Sequence, residues 1–265
     1  MTTATDRVLT ERDGPVGVVR LNRPEKLNAF AGDMRDRIGD AVEEMGADPE
    51  ARVLIVTGAG RGFCAGADVE YLRELVETGN ERDFENLLRA GERVVTAIRR
   101  LDKPVIAVIN GPAAGGGANL ALACDLRIMG ESASIGQTFS RIGLHPDWGG
   151  TFFLPRLVGE AAALELMWSG RMVPAAEALG LGMVNRVVPD ERLWAESLDW
   201  ARRLAAAPPL AVGRIKRAVY ASLEESLEHM LAVEMESQLA CFRTNDVRRG
   251  LAAFREKMRP AFEGD

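Results

Sequence analysis

Histidine is nearly absent from this chain: of 265 residues, only His145 and His229 carry imidazole. That scarcity argues against a His-rich metal site and against a Ser–His–Asp triad. Cysteine is also scarce. Cys64, Cys124 and Cys241 are odd in number and show no C-x-x-C spacing. A disulfide framework or structural zinc is therefore not expected, and a reducing cytoplasm suits the chain. No apolar run is long enough to span a bilayer. Met1–Asp13 is polar and lacks the apolar stretch of a signal peptide. Excess basic charge is missing too. Lys and Arg number 33 against 39 Asp and Glu, a net charge of -6. Such a surface offers no electrostatic footprint for nucleic acid or an anionic membrane. What remains is an ordinary globular composition, 47% hydrophobic and 27% charged. The length suits one large domain, or one domain with an appendage.

Apolar periodicity then orders the chain. Val16–Leu21 is a short β-branched run closed by the turn Asn22–Pro24. Met34, Ile38, Val42 and Met45 have helical spacing. Val53–Thr57 and Val105–Ile109 read as buried strands, with Phe84–Leu101 helical between them. Gly115–Ala123 reads as a loop entering a short helix, and Leu126–Met129 and Ala133–Ile135 as further short strands. From Leu193 onward the pattern is helical, broken at Pro208-Pro209 and Thr244-Asn245. Early alternation and late helices predict an α/β core over residues 1–200 and a helical segment over 201–265.

Two glycine-rich loops carry the chemistry, Cys64–Asp68 and Gly115–Gly117. The run before the first, Gly58-Ala59-Gly60-Arg61-Gly62, follows a strand, so a nucleotide site is the rival reading; its glycines read better as tight turns. A G-x-G-x-x-G fingerprint fails, because the sixth residue is Phe63 in one frame and Ala65 in the other. No Gly-Lys-Ser/Thr occurs either. The second stretch, Gly115-Gly116-Gly117, opens a helix. Three consecutive glycines are entropically costly there. They expose backbone N–H groups where the helix dipole is positive, an arrangement suited to a developing oxyanion.

The ordered motifs settle which fold these loops serve. Asn22-Arg23-Pro24-Glu25-Lys26-Leu27-Asn28-Ala29 comes first, then Gly62-Phe63-Cys64-Ala65-Gly66-Ala67-Asp68. Lys103-Pro104-Val105-Ile106-Ala107-Val108-Ile109-Asn110-Gly111, the glycine triplet, Ala123-Cys124-Asp125 and Pro155-Arg156-Leu157-Val158-Gly159 follow. With Ala178–Gly182 and Phe254-Arg255-Glu256-Lys257, they resemble the enoyl-CoA hydratase/isomerase (crotonase) superfamily along nearly the whole chain. The resemblance implies a spiral core of ββα turns and C-terminal helices that build homotrimers, often paired into homohexamers. It implies an acyl-CoA substrate and no separate cofactor, CoA entering as part of the thioester. Oxyanion-hole amides are implied at Ala67 and Gly116, and CoA contacts at Lys26, Leu27, Ala65 and Gly66. Asp68, Leu72 and Gly115 belong to the same expected binding surface. Lys257 and Phe262 are expected to cover CoA, from the same or a neighbouring subunit.

The oxyanion hole defines a superfamily and not a reaction. Family hydratases use two glutamates, and here the matching positions hold Asn119 and Phe139. Asn119 can orient a water or a polar substrate atom but is no base; Phe139 supplies an apolar wall. One carboxylate remains, Asp147 in Gly143-Leu144-His145-Pro146-Asp147-Trp148-Gly149-Gly150. Alone it reads equally as the N-cap of the following helix. The phrase Phe139–Asp147 resembles the ring 1,2-epoxyphenylacetyl-CoA isomerases of phenylacetate breakdown, which place an aspartate there. The expectation is an acyl-CoA isomerase with Asp147 as proton carrier and Phe139, Leu144 and Trp148 as pocket walls. His145 reads as a loop residue and Cys64 as packing. Three alternatives stay open. They are an enoyl-CoA hydratase, nucleophilic attack by Asp147 as in aryl-CoA dehalogenases, and a non-catalytic CoA-binding homologue.

Overall fold

The computed structural model describes residues 6–265; the first five residues of the polar N-terminal stretch lie outside the described residues. Strand β1 (Val8–Asp13) turns at Gly14, in the left-handed region at φ 56°, into antiparallel β2 (Val16–Leu21). The sequence pattern missed β1. It is an edge strand with a partly exposed face, so it lacks the continuous apolar run of a buried strand. Helix α1 (Met34–Ala47) follows, burying Met34, Ile38, Val42 and Met45 as their spacing requires. Strand β3 (Val53–Gly58) pairs parallel with β2. Helices α2 (Val69–Thr78) and α3 (Glu81–Arg100) come next.

The following segments repeat one design. Strand β4 (Val105–Ile109), the two-residue β5 (Ala113–Ala114) and helix α4 (Gly116–Ala123) form one ββα turn. Strands β6 (Leu126–Gly130) and β7 (Ser134–Gly136) start the next, which continues through a 3-10 turn at Thr138–Ile142 into α5 (Gly150–Val158) and α6 (Glu160–Ser169). Then come β8 (Met172–Pro174), α7 (Ala175–Gly180) and β9 (Arg186–Val188). The long strands make one sheet in the order β1-β2-β3-β4-β6-β9, and the short ones a second sheet, β5-β7-β8. Isolated bridges Cys64↔Ala113 and Phe30↔Ala67 extend the second layer toward β3. Each pass of the chain therefore rises through the large sheet and crosses the small one before its helix, giving the expected spiral.

Both faces of the large sheet are covered, which explains its continuous apolar runs. Leu54, Val56, Val105, Ala107 and Ile109 face one core with α1 and α3. Their alternating neighbours Val53, Ile55, Ile106 and Val108 face a second core with Trp200, Ala201 and Ala205. These last three lie on helix α8 (Leu193–Ala205), which runs across residue 200 and belongs to the core. The change from core to outlying helices falls at Ala206–Pro208. Pro208 caps α9 (Pro209–Ala221), and Thr244 separates α10 (Leu227–Phe242) from α11 (Asn245–Glu256). Asp125 ties α9 to the sheet. Its Oδ2 accepts from Val105 N at 2.7 Å and from Lys216 Nζ at 2.8 Å, and Tyr220 reaches its other oxygen. No described helix is long and apolar enough to cross a membrane.

Candidate active site

The two layers bring the glycine loops together. Cys64 is buried; its thiol donates to Asn28 O, and the sulfur accepts from Gly66 N. Burial pushes that thiol up to about 12, so it stays protonated and serves packing, as expected. Gly66 sits at φ 86°, and a Cβ there would lie 2.7 Å from Ala114 O. Only glycine allows this approach. The same point is 3.4 Å from Gly116 N, so the Cys64–Asp68 loop lies beside the opening of α4. Gly66 O accepts from Phe30 N, and Asp68 N donates to Phe30 O. The amide between them, Ala67 N–H, has no acceptor among the described residues, and neither has Gly116 N–H at the first turn of α4. Two free amides thus stand side by side in the same wall.

They open into a cavity of about 430 Å³ roofed by α2 and α3. Ala65, Gly66, Ala67, Gly115 and Gly116 form one side; Leu72, Phe139, Leu144 and Trp148 form apolar walls. Asp147 lines the same cavity. Its Oδ1 would lie 3.7 Å from a Cβ on Gly116 and has no hydrogen-bond partner among the described residues. Burial pushes its carboxyl up to about 6, against the opposing pull of Arg35 and His145. Asp147 is not a helix cap. The N-cap of α5 is Gly149, at φ 75°, and the Asp147 main-chain carbonyl takes Gly150 N–H instead. Trp148 itself sits at φ 49°, and its ring stacks on Phe30 with centroids 4.7 Å apart.

Other expected site residues lie outside the wall of this cavity. Asn119 does not line the cavity. It is fully buried; its Oδ1 accepts from Gln137 at 2.6 Å and its Nδ2 donates to Asp147 O at 2.8 Å. It holds the backbone of Asp147 in place of a water or substrate atom. Asp68 caps α2 by accepting from Glu70 N and pairs with Arg23 at 2.6 Å, facing away from the cavity. Leu27 packs against Gly62, its carbonyl accepting from Ala65 N, and Lys26 is exposed beside Glu70. Both shape or flank the Cys64–Asp68 loop and stand outside the cavity wall. Lys257 ends α11 in the left-handed region. Phe262 packs near Gly250 in a separate apolar depression with Pro208 and Leu251. Neither reaches the cavity of its own chain, because the tail is tied back through Arg52 to Phe262 O.

Sequence reasoning missed Phe30 and Arg35, which line the cavity, and Phe84 of α3. Arg35 offered no signal, because it falls between the apolar positions of α1 and reads as a solvated residue. Phe30 lies just beyond the quoted Asn22–Ala29 motif and could have been found by extending it.

Comparison with known proteins agrees with this geometry. Residues 11–265 match the family Enoyl-CoA hydratase/isomerase. The chain is 38% identical over 258 residues to the 1,2-epoxyphenylacetyl-CoA isomerase of Escherichia coli, covering 97% of this chain and 98% of that protein. It is 36% identical over 260 residues to the crotonyl-CoA hydratase of Syntrophomonas wolfei, covering 98% of each. The crystal structure of an enoyl-CoA hydratase from Bacillus anthracis superposes with a TM-score of 0.92 at 34% identity, over 98% of this chain and all of that one. The spiral α/β core is the crotonase fold, and the chain belongs to the enoyl-CoA hydratase/isomerase family.

Proposed function

We propose that this protein is an acyl-CoA isomerase in which Asp147 carries a proton between two carbons of the acyl chain. The observation that carries this reading is the lone, desolvated carboxylate beside two free amides. Ala67 N–H and Gly116 N–H donate to the thioester oxygen, and the electron pair of an α-carbon or γ-carbon C–H bond moves toward it. The resulting enolate is held by the amides, whose positions the backbone fixes in advance. Asp147 takes the proton and returns it to the other carbon, which shifts the double bond. A carboxyl near 6 is matched to both halves of this exchange near neutral pH.

Hydration makes a further demand: a second acid–base group must hold the water. Asn119 is occupied by Gln137 and Asp147, and Phe139 is apolar. Similarity to a crotonyl-CoA hydratase at 36% identity keeps water addition as the second reading. Supplying a 3-enoyl-CoA and a 2-enoyl-CoA in parallel separates them. Bond migration without 3-hydroxyacyl-CoA supports isomerisation; faster water addition than migration overturns it.

We extend the proposal to assembly. Phe242, Leu227, Met235 and Phe254 of the C-terminal helices are largely exposed, the last at 85%. Such an apolar face favours burial against further copies of this chain, in the trimer or hexamer arrangement that the resemblance implies.

A further inference from the structure

The cavity contains a second charge, which acts on the proton transfer only through its pull on Asp147. Arg35 belongs to the first turn of α1, where the helix dipole disfavours a cation. Its side chain is only 5% exposed. Its Nε and Nη1 are shut off among protein atoms without a hydrogen-bond partner among the described residues, and Nη2, the guanidinium nitrogen that keeps accessible surface in the cavity wall, has none there either. The guanidinium carbon lies 5.1 Å from the Phe30 ring centroid, and Phe30 in turn stacks on Trp148. The Arg35–Phe30–Trp148 stack holds the group against the cavity. Burial presses Arg35 below its ordinary value, with Asp147 opposing that effect, so the two share one electrostatic environment. Asp147 Oδ1 and the Nε and Nη1 of Arg35 each have no hydrogen-bond partner among the described residues, so these atoms do not pair with one another. A buried cation with open donors is unfavourable for folding alone. Nη2 is the donor that a ligand in the cavity reaches, and an acceptor on that ligand gives the guanidinium the partner the protein does not supply.

We infer that Arg35 is a specificity-determining residue that selects acyl-CoA thioesters carrying a neutral oxygen acceptor, such as a keto, hydroxyl or ether oxygen, on the acyl chain. The inference rests on the acyl-CoA reading of this cavity, not on the identity of the reaction. A neutral acceptor is favoured over a carboxylate by charge balance. Arg35 and Asp147 already offset each other inside, while Arg141 and His145 are exposed at the rim and screened by solvent. An apolar acyl chain would leave the guanidinium dehydrated and unpaired, so simple fatty acyl groups bind less well.

The test is binding, which does not depend on turnover. Hexanoyl-CoA, 4-oxohexanoyl-CoA, 5-oxohexanoyl-CoA and adipoyl-CoA are titrated calorimetrically into wild type, Arg35→Met and Arg35→Lys. On wild type at least one oxo ligand binds about tenfold or more tighter than hexanoyl-CoA, the usual strength of a hydrogen bond to a charged donor. Arg35→Met removes that preference and leaves hexanoyl-CoA as well bound or better. Arg35→Lys retains part of it, and shows that loss in the Met variant is not misfolding; thermal melts check both. The inference is overturned by three results: no oxo preference on wild type, an oxo preference that survives in Arg35→Met, or adipoyl-CoA binding more tightly than both oxo ligands. Failure of Asp147 to act as proton carrier leaves these outcomes unchanged, so the two readings fail separately.

Discussion

Asn119 holds Asp147 by its main chain: Nδ2 donates to Asp147 O at 2.8 Å, while Gln137 anchors Oδ1 at 2.6 Å. Restoring a carboxylate at 119 is therefore expected to fail as a route to hydration. Gly150 is packed so closely that a Cβ on it would lie 2.4 Å from Asn119 Nδ2, leaving no room for a longer side chain. In Asn119→Asp the lost donor faces the Asp147 carbonyl with a second acceptor. We expect a loss of about 2–4 kcal/mol in stability, read from urea unfolding, and no gain in water addition. An Asn119→Glu protein as stable as wild type with raised hydratase activity would contradict this role.

Titration of Asp147 sets both activity and stability. As the proton acceptor it must be ionised, so kcat/KM for bond migration should rise with pH through about 6. The stability effect has the opposite slope. The folded protein holds this proton at about 6 against the ordinary 3.8, so the benefit of binding it is full below the unfolded value and is lost as pH rises through 6. Asp147→Asn escapes that loss. Relative to wild type it should gain about 1–2 kcal/mol between pH 4.5 and pH 7.5 in denaturant melts. A pH-independent difference would show that the carboxyl is not held in a desolvated site.

Glycine substitutions separate close approach from mere flexibility. A Cβ on Gly117 would lie 2.2 Å from Cys64 O, a backbone atom that cannot yield without opening the junction between the two loops. Gly117→Ala should cost about 3 kcal/mol or more and abolish activity. Gly180, at the end of α7, has nothing within 4 Å of its Cβ position. Gly180→Ala should be neutral or gain about 0.5–1 kcal/mol through the unfolded state. Differential scanning calorimetry of the two variants distinguishes them.

The exposed apolar face of α10 and α11 predicts self-association. Sedimentation velocity at micromolar concentration should give a multiple of the 28.8 kDa chain. Phe254→Asp together with Met235→Asp should shift it toward the single chain. A wild-type monomer would leave these side chains without a partner.

The sequence made some features plain and hid others for physical reasons. Strands β3 and β4 were legible because both faces are buried, so Val53–Val56 and Val105–Ile109 are apolar throughout. The glycine loops were legible from their residue types and order, whereas Asp147 read equally as a helix cap and was singled out only by the family resemblance. Strand β1 was hidden because it lies at a sheet edge, and the break between α9 and α10 because Leu223–Ser226 carries no Pro or Gly. Asn119 was placed correctly by position, but its orientation depends on Gln137 and the Asp147 carbonyl, which only tertiary packing brings near. Arg35 was the least legible. Its charge reads as solvent-facing in a helix, and the fold instead turns it into an apolar cavity.

The most direct measurement concerns Asp147 itself. Asp147→Asn keeps the shape of the site and removes the proton carrier. Conversion of a 3-enoyl-CoA to the 2-enoyl-CoA, followed with binding of the saturated acyl-CoA as a control, should fall by about 10²–10⁴-fold while binding stays intact. Retention of wild-type isomerisation by that variant would contradict proton transfer through Asp147.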